Sequence, residues 1–140
     1  MTSHSDLFVR DATADDDAVI SLHKHAASLE SARYRGERVD IPERTHVISI
    51  VSGVGETVFG SLVADSDDGS SWSITHVFVD PDAREVGLGD AMVVRLLHTL
   101  QTQGARHVGS QAQPGNRALK NLFERHGLVA QTILVGRSID

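Results

Sequence analysis

The chain contains no cysteine, which excludes a disulfide frame, a thiolate metal site and a cysteine nucleophile. It also lacks any apolar run approaching the ~20 residues needed to cross a bilayer. Its first residues, Met1-Thr2-Ser3-His4-Ser5-Asp6, show neither the basic start nor the apolar core of a signal peptide, so the cytoplasm is the expected location. Basic residues are in deficit: 13 Lys and Arg against 19 Asp and Glu give a formal net charge of -6. General nucleic-acid binding requires the opposite balance, because cations must displace the counterions of the phosphate backbone. The 8 histidines show no metal-ligand spacing; His23 and His25 are two apart on an expected helix and point differently. No metal is expected. What is present, 140 residues at 40% hydrophobic composition with a mean hydropathy of -0.14, suits a single compact domain over residues 1–140.

Hydrophobic periodicity divides the chain into alternating elements. Leu7 to Arg10 reads as a short strand. Thr13, followed by Asp15, Asp16 and Asp17, supplies a capping hydroxyl and first-turn acids for a helix through Leu29. Glu30 to Arg44 is polar and irregular, with Gly36 and Pro42 as breakers, and Arg33, Arg35, Arg38 and Arg44 as local cations. Strands follow at His46 to Val51, Thr57 to Ala64 and Trp72 to Val79, joined by polar turns. A helix from about Leu88 to Gln103 has Met92, Val93, Leu96, Leu97 and Leu100 on one face and Gly104 at its end. His107 to Gln111 is a further strand, Asn116 to His126 a helix stopped by Gly127, and Leu128 to Ile139 a final extended segment. The order predicts an α/β protein: a central mixed sheet with helices on both faces.

The most informative stretch is Arg84-Glu85-Val86-Gly87-Leu88-Gly89, between the strand ending at Val79 and the helix containing Asp90. Such a turn can aim several unpaired N–H groups at one point, reinforced by the positive end of the helix, and a diphosphate is the usual occupant. Glycine lets the main chain approach a ligand without a Cβ in the way. By itself the same turn serves equally well as a tight connection with no ligand.

Val77-Phe78-Val79-Asp80-Pro81 followed by Arg84-x-x-Gly87-x-Gly89 resembles the acetyl-CoA-binding motif of the Gcn5-related N-acetyltransferase (GNAT) family. Asn116, with Leu122-Phe123-Glu124-Arg125-His126-Gly127-Leu128 downstream, resembles that family's second motif, Asn, several helical residues, then Leu-Tyr-Glu-Lys-Leu-Gly-Phe. The resemblance covers Trp72 to Leu128 directly and the N-terminal half through its order of elements. It implies a GNAT-like acyltransferase fold and an acetyl-CoA-dependent N-acetyltransferase acting by direct attack of a primary amine of a small molecule or peptide. It also implies that the backbone of Val77, Phe78 and Val79 pairs with the pantetheine arm, and that the turn Arg84, Glu85, Val86, Gly87, Leu88, Gly89 and Asp90 holds the diphosphate. Asn116 and Phe123 complete the implied cofactor site.

Three departures from the family pattern bear on function. Glu85 and Asp90 stand where relatives often carry a basic residue, which predicts weaker CoA affinity, although an acid at a helix start is favourable in its own right. Phe123 replaces the family's tyrosine acid, and Gln111 its glutamate base. The only tyrosine is Tyr34. His76, facing opposite to Val77 and Val79 by strand alternation, is the candidate general base, directly or through a water; the alternative is a histidine bonded within the core. A catalytically silent acyl-CoA sensor is the second functional reading. The short C-terminal segment further predicts an exposed sheet edge that a second copy would cover as a homodimer.

Overall fold

The computed structural model describes residues 6–36 and 44–139; Arg38, the Pro42 breaker and Met1 to Ser5 lie outside the described residues. Five strands and three α-helices follow in the order β1 (Leu7–Asp11), α1 (Asp17–Ser31), β2 (His46–Val54), β3 (Thr57–Ser66), β4 (Ser71–Val79), α2 (Leu88–Thr102), β5 (His107–Gly109) and α3 (Arg117–Arg125). Short 3-10 helices at Ala14–Asp16 and Pro81–Val86 lead into α1 and α2. The sheet order is β1-β2-β3-β4-β5. The first four strands pair antiparallel and β5 joins β4 in parallel.

Helices cover both faces of this sheet, as the order of elements predicts. On one face Ile50, Leu62, Ala64, Trp72 and Ile74 meet Met92, Val93, Leu96 and Leu100 of α2 and Leu122 and Phe123 of α3. On the other, Val51 and Val63 pack against Ile20 of α1. The register of β3 and β4 slips where Ala64 pairs with Ile74 but Val63 pairs with His76. Thr75 is the extra residue of a β-bulge, and its hydroxyl donates to the Val63 carbonyl at 3.3 Å. Beyond the bulge, Val77 and Val79 pack toward the α2 core. Phe78 meets His23 of α1, with ring centroids 4.8 Å apart.

The start of α1 is tied down more firmly than its sequence signature requires. The Asp16 carboxylate accepts from the Thr13 backbone N–H at 2.8 Å and from both terminal nitrogens of Arg10, at 2.7 and 3.1 Å. The Arg10 guanidinium and then the Thr13 amide hold this buried carboxyl at about 2, below its ordinary value of 3.8. A depressed folded pKa contributes stability above the unfolded pKa, and that stability is lost as pH falls toward 2. Asp16→Asn is therefore expected to cost about 2 kcal/mol in urea unfolding at pH 7. The difference from wild type should shrink as pH drops from about 4 toward 2; a gap that stays constant would mean the carboxylate charge is not what matters.

Two sequence expectations are corrected at the C-terminal side of the sheet. β5 ends at Gly109 rather than Gln111, because the Ser110 hydroxyl turns inward and donates to the Ile74 carbonyl at 2.8 Å. No strand forms from Leu128 to Ile139, so the final extended segment adds nothing to the sheet. A three-residue β5 offers little edge to pair with, and Ile133, Leu134 and Val135 of the tail remain in solvent. No described helix is long and apolar enough to cross a membrane.

Candidate active site

The early end of β5 creates the site. Parallel pairing with β4 covers only Ser71 to Ser73, so β4 runs on through Val79 with β3 as its only ladder partner among the described residues. The two strands part, and a cleft of about 340 Å³ opens beside Val77, Phe78 and Val79, within the size range of small-ligand sites. One bank is α3, with Asn116 at its start and Ala118, Leu119, Asn121, Leu122 and Arg125 along it. The other is the end of α1 and the segment after it, contributing Ala27, Glu30, Ser31 and Tyr34. Arg84, Gly87, Gly89 and Asp90 of the turn close one end, and Gln113 also lines the space.

Gly87 begins α2 with φ 84, a left-handed conformation that glycine adopts without penalty. It supplies no side-chain cap, so first-turn N–H groups of α2 keep their hydrogen-bonding capacity, together with the positive end of the helix. Gly89 needs a different explanation. A Cβ built there would stand 3.5 Å from Leu122 Cδ2 and 3.8 Å from Val79 Cγ2, ordinary contact distances. Nothing in the chain itself forbids a side chain, and glycine inside a helix costs about 1 kcal/mol relative to alanine. Gly89 also lines the cleft, where a side chain would take up space. The uncapped helix start, the flank of β4 beyond its pairing with β5 and the glycine at position 89 are compatible with an extended molecule that has a diphosphate at one end.

Not every turn residue faces this space. Glu85 and Val86 point to solvent and Leu88 is buried beneath the turn. Arg84 lies across the cleft mouth: its Nε donates to the Val79 carbonyl at 2.8 Å, its Nη2 pairs with the Glu30 carboxylate, and its guanidinium carbon sits 5.6 Å from the Phe78 ring centroid. Asp90 is neutralised by α3: Arg125 donates to its two oxygens at 3.1 and 3.2 Å, and His126 Nε2 lies 2.7 Å from Oδ1. Chiefly the Arg125 hydrogen bond holds Asp90 below the ordinary carboxylate value. The negative charge expected to weaken an anion site is thus compensated on the spot.

Asn116 caps α3, its Oδ1 accepting from the Leu119 N–H at 3.2 Å, so it can offer its side-chain NH2 to the cleft. Phe123 is buried in the core with Leu122 and Met92 rather than lining the cleft. His76 does face opposite to Val77 and Val79, but it too is outside the cleft lining. Its Nε2 lies 2.7 Å from the Ser61 hydroxyl, whose other neighbour is His23 Nδ1 at 2.8 Å. One hydroxyl proton between two rings makes Ser61 donor to one and acceptor from the other. All three residues are buried, and burial pushes His23 below its ordinary value while the charge of Asp80 pulls the other way.

Sequence reasoning missed how the segment after α1 joins the site. Ser31 Oγ donates to Gln113 Oε1 at 2.7 Å, and Gln113 Nε2 donates to the carbonyls of Ser31 and Gly36 at 3.2 and 2.7 Å. The Tyr34 ring packs by Gly115, 3.7 Å from where a Cβ would be. The only available signal was that Tyr34 is the single tyrosine.

No group of three or more metal-ligating side chains occurs among the described residues. The model of the acetyltransferase (GNAT) family matches residues 12–128, whereas no curated protein matches the chain. Among solved structures, the chain is similar to an aminoglycoside acetyltransferase, meta-AAC0020, from an uncultured soil metagenomic sample in complex with sisomicin, at 12% identity, 97% coverage of each chain and TM-score 0.71. It is also similar to the ribosomal-protein-alanine N-acetyltransferase of Brucella melitensis biovar Abortus 2308, at 13% identity, covering 96% of this chain and 98% of that one, TM-score 0.67. A third, yncA of Salmonella typhimurium with its cofactor acetyl-CoA, is 22% identical over 87% of this chain and 79% of that one, TM-score 0.70. With a parted β4, a glycine-started α2 and a family match over most of its length, the chain belongs to the acetyltransferase (GNAT) family, as an N-acetyltransferase with acetyl-CoA as its cosubstrate.

Proposed function

We propose that the protein transfers the acetyl group of acetyl-CoA directly to a primary amine of a small molecule or a peptide, within the cleft between β4 and α3. The observation that carries this reading is the cleft itself, which joins an unpaired β4 flank to the uncapped start of α2. On this reading β4 from Val77 to Val79 and the Asn116 amide hold the pantetheine arm, while the amides of the turn from Gly87 to Asp90 hold the diphosphate. Arg84 exchanges Glu30 for the anion, and the freed Glu30 carboxylate meets a cationic acceptor. Residues 27–34 form the acceptor bank. Arg33, Arg35 and Arg44, singled out in the sequence as local cations, are absent from the cleft lining, in keeping with a positively charged rather than anionic acceptor. Two relatives in fold are described with amine-bearing partners, sisomicin and a ribosomal-protein alanine, which supports both acceptor sizes.

The attacking amine must be neutral, and its proton passes to water in the cleft. His76 is turned away from the cleft and bonded to Ser61, so it acts by fixing β3 against β4 rather than by taking the proton. Holding donor and acceptor together supplies a large share of the acceleration. The test is release of free CoA thiol from acetyl-CoA with a panel of polyamines, aminoglycosides and amino-terminal peptides. Turnover with at least one is expected; acetyl-CoA binding without turnover on any would instead support the acyl-CoA sensor. The exposed Ile133, Leu134 and Val135 of the tail support a homodimer in which a second copy covers these apolar side chains; light scattering that finds only monomer at assay concentrations would remove it.

A further inference from the structure

Thioester aminolysis ends with a thiolate that must be protonated, and the α3 position that resembles the family's acid holds Phe123, buried in the core. The groups lining the cleft decide where a proton can come from. Glu30 is set against a cation, Arg84 in this structure and the acceptor amine on the proposed reading, and the Ser31 hydroxyl is spent on Gln113. Asp90 is held ionised by Arg125 and His126, and the two arginines lose no proton in proteins. One dissociable proton is left. The Tyr34 hydroxyl has no hydrogen-bond partner among the described residues, and its ring lies between the end of α1 and the turn that starts α3, beside Gly115.

We infer that Tyr34, carried by the segment after α1, is the proton donor to the departing thiol. The inference rests on the proposed amine acetylation. As the amine nitrogen bonds to the acetyl carbonyl carbon, the carbon–sulfur bond breaks and its electron pair goes to sulfur. Sulfur takes the phenolic proton of Tyr34. The tyrosinate regains a proton from solvent, which has received the one shed by the amine, so the cycle closes with no other reactant.

Tyr34→Phe keeps the ring that packs by Gly115 and removes only the proton. The variant should bind acetyl-CoA within about twofold of wild type by calorimetry. Its kcat should fall by about 100-fold, the low end for a general acid because a thiolate leaves readily. Wild-type kcat should decline at alkaline pH, because a general acid works only while it holds its proton, and the variant should lack that decline. Unchanged kcat and pH profile would overturn the role, as would a loss in which affinity falls equally and the alkaline decline persists. If wild-type protein binds acetyl-CoA but acetylates no amine, the proposed function fails and Tyr34 with it; turnover unaffected by Tyr34→Phe sinks Tyr34 alone.

Discussion

Gly89→Ala is expected to leave the protein as stable as wild type or slightly more so, while acetyl-CoA affinity falls roughly 30- to 1,000-fold. The two effects separate because they have different origins. Alanine is the better helix residue by up to about 1 kcal/mol, and the added Cβ meets Leu122 at 3.5 Å, an ordinary contact. The same Cβ occupies the space through which a diphosphate would approach the start of α2. Losing one or two hydrogen bonds from amides to a charged group, each worth about 1.5–3 kcal/mol, gives an expected loss of about 2–4 kcal/mol. Thermal unfolding and calorimetric titration on the same preparation check both halves. Equal affinity in variant and wild type would mean that the main chain at Gly89 does not meet the ligand.

Gly53→Ala should have the opposite profile, a failure of folding rather than of binding. The β2–β3 register shifts between Ser52 and Gly53, leaving Phe59 unmatched. A Cβ at Gly53 would lie 1.8 Å from the Thr57 carbonyl oxygen and 2.8 Å from two ring carbons of Phe8. The carbonyl is backbone and cannot swing aside, so β2, β3 and β1 would all have to shift. Overpacking in a formed structure typically costs 1–3 kcal/mol, occasionally more, and this contact belongs at or above the upper end, at about 3 kcal/mol or more. Urea midpoints, or insolubility on expression, would show it. A variant within about 1 kcal/mol of wild type would mean that the hairpin can repair its register locally.

These effects also mark where the sequence was readable. The meander, the cap at Thr13 and the uncapped start of α2 follow from local rules of period, turn and capping, and the structure has them in place. Gly87 and Gly89 look alike in the sequence, yet one is required by its own φ and the other by nothing within the chain. Telling them apart takes coordinates. The bulge at Thr75 shows in Trp72 to Val79 only as a change of parity, from Trp72 and Ile74 to Val77 and Val79 on the α2 face, and the apolar Phe78 on the other face masks it. The Ser61 hydroxyl between His23 and His76 joins residues 38 and 15 positions apart, and the Ser31–Gln113 bond spans 82 positions. No periodicity encodes such pairs. Tyr34 could be noticed only as a solitary tyrosine; its place on the cleft depends on Gln113 fastening the segment after α1 to the start of α3. The tail failed as a strand for a related reason. Its sequence can extend, but β5 is too short to offer it a partner.

The central claim is that amides at the start of α2 grip the diphosphate of acetyl-CoA. An amide-detected NMR titration with acetyl-CoA addresses it residue by residue. Leu88, Gly89 and Asp90 should show the largest saturable shifts, with Val77 to Val79 moving in step and amides of β1 and β2 unchanged. A folded sample in which saturating acetyl-CoA leaves the α2 amides where they were would contradict the account.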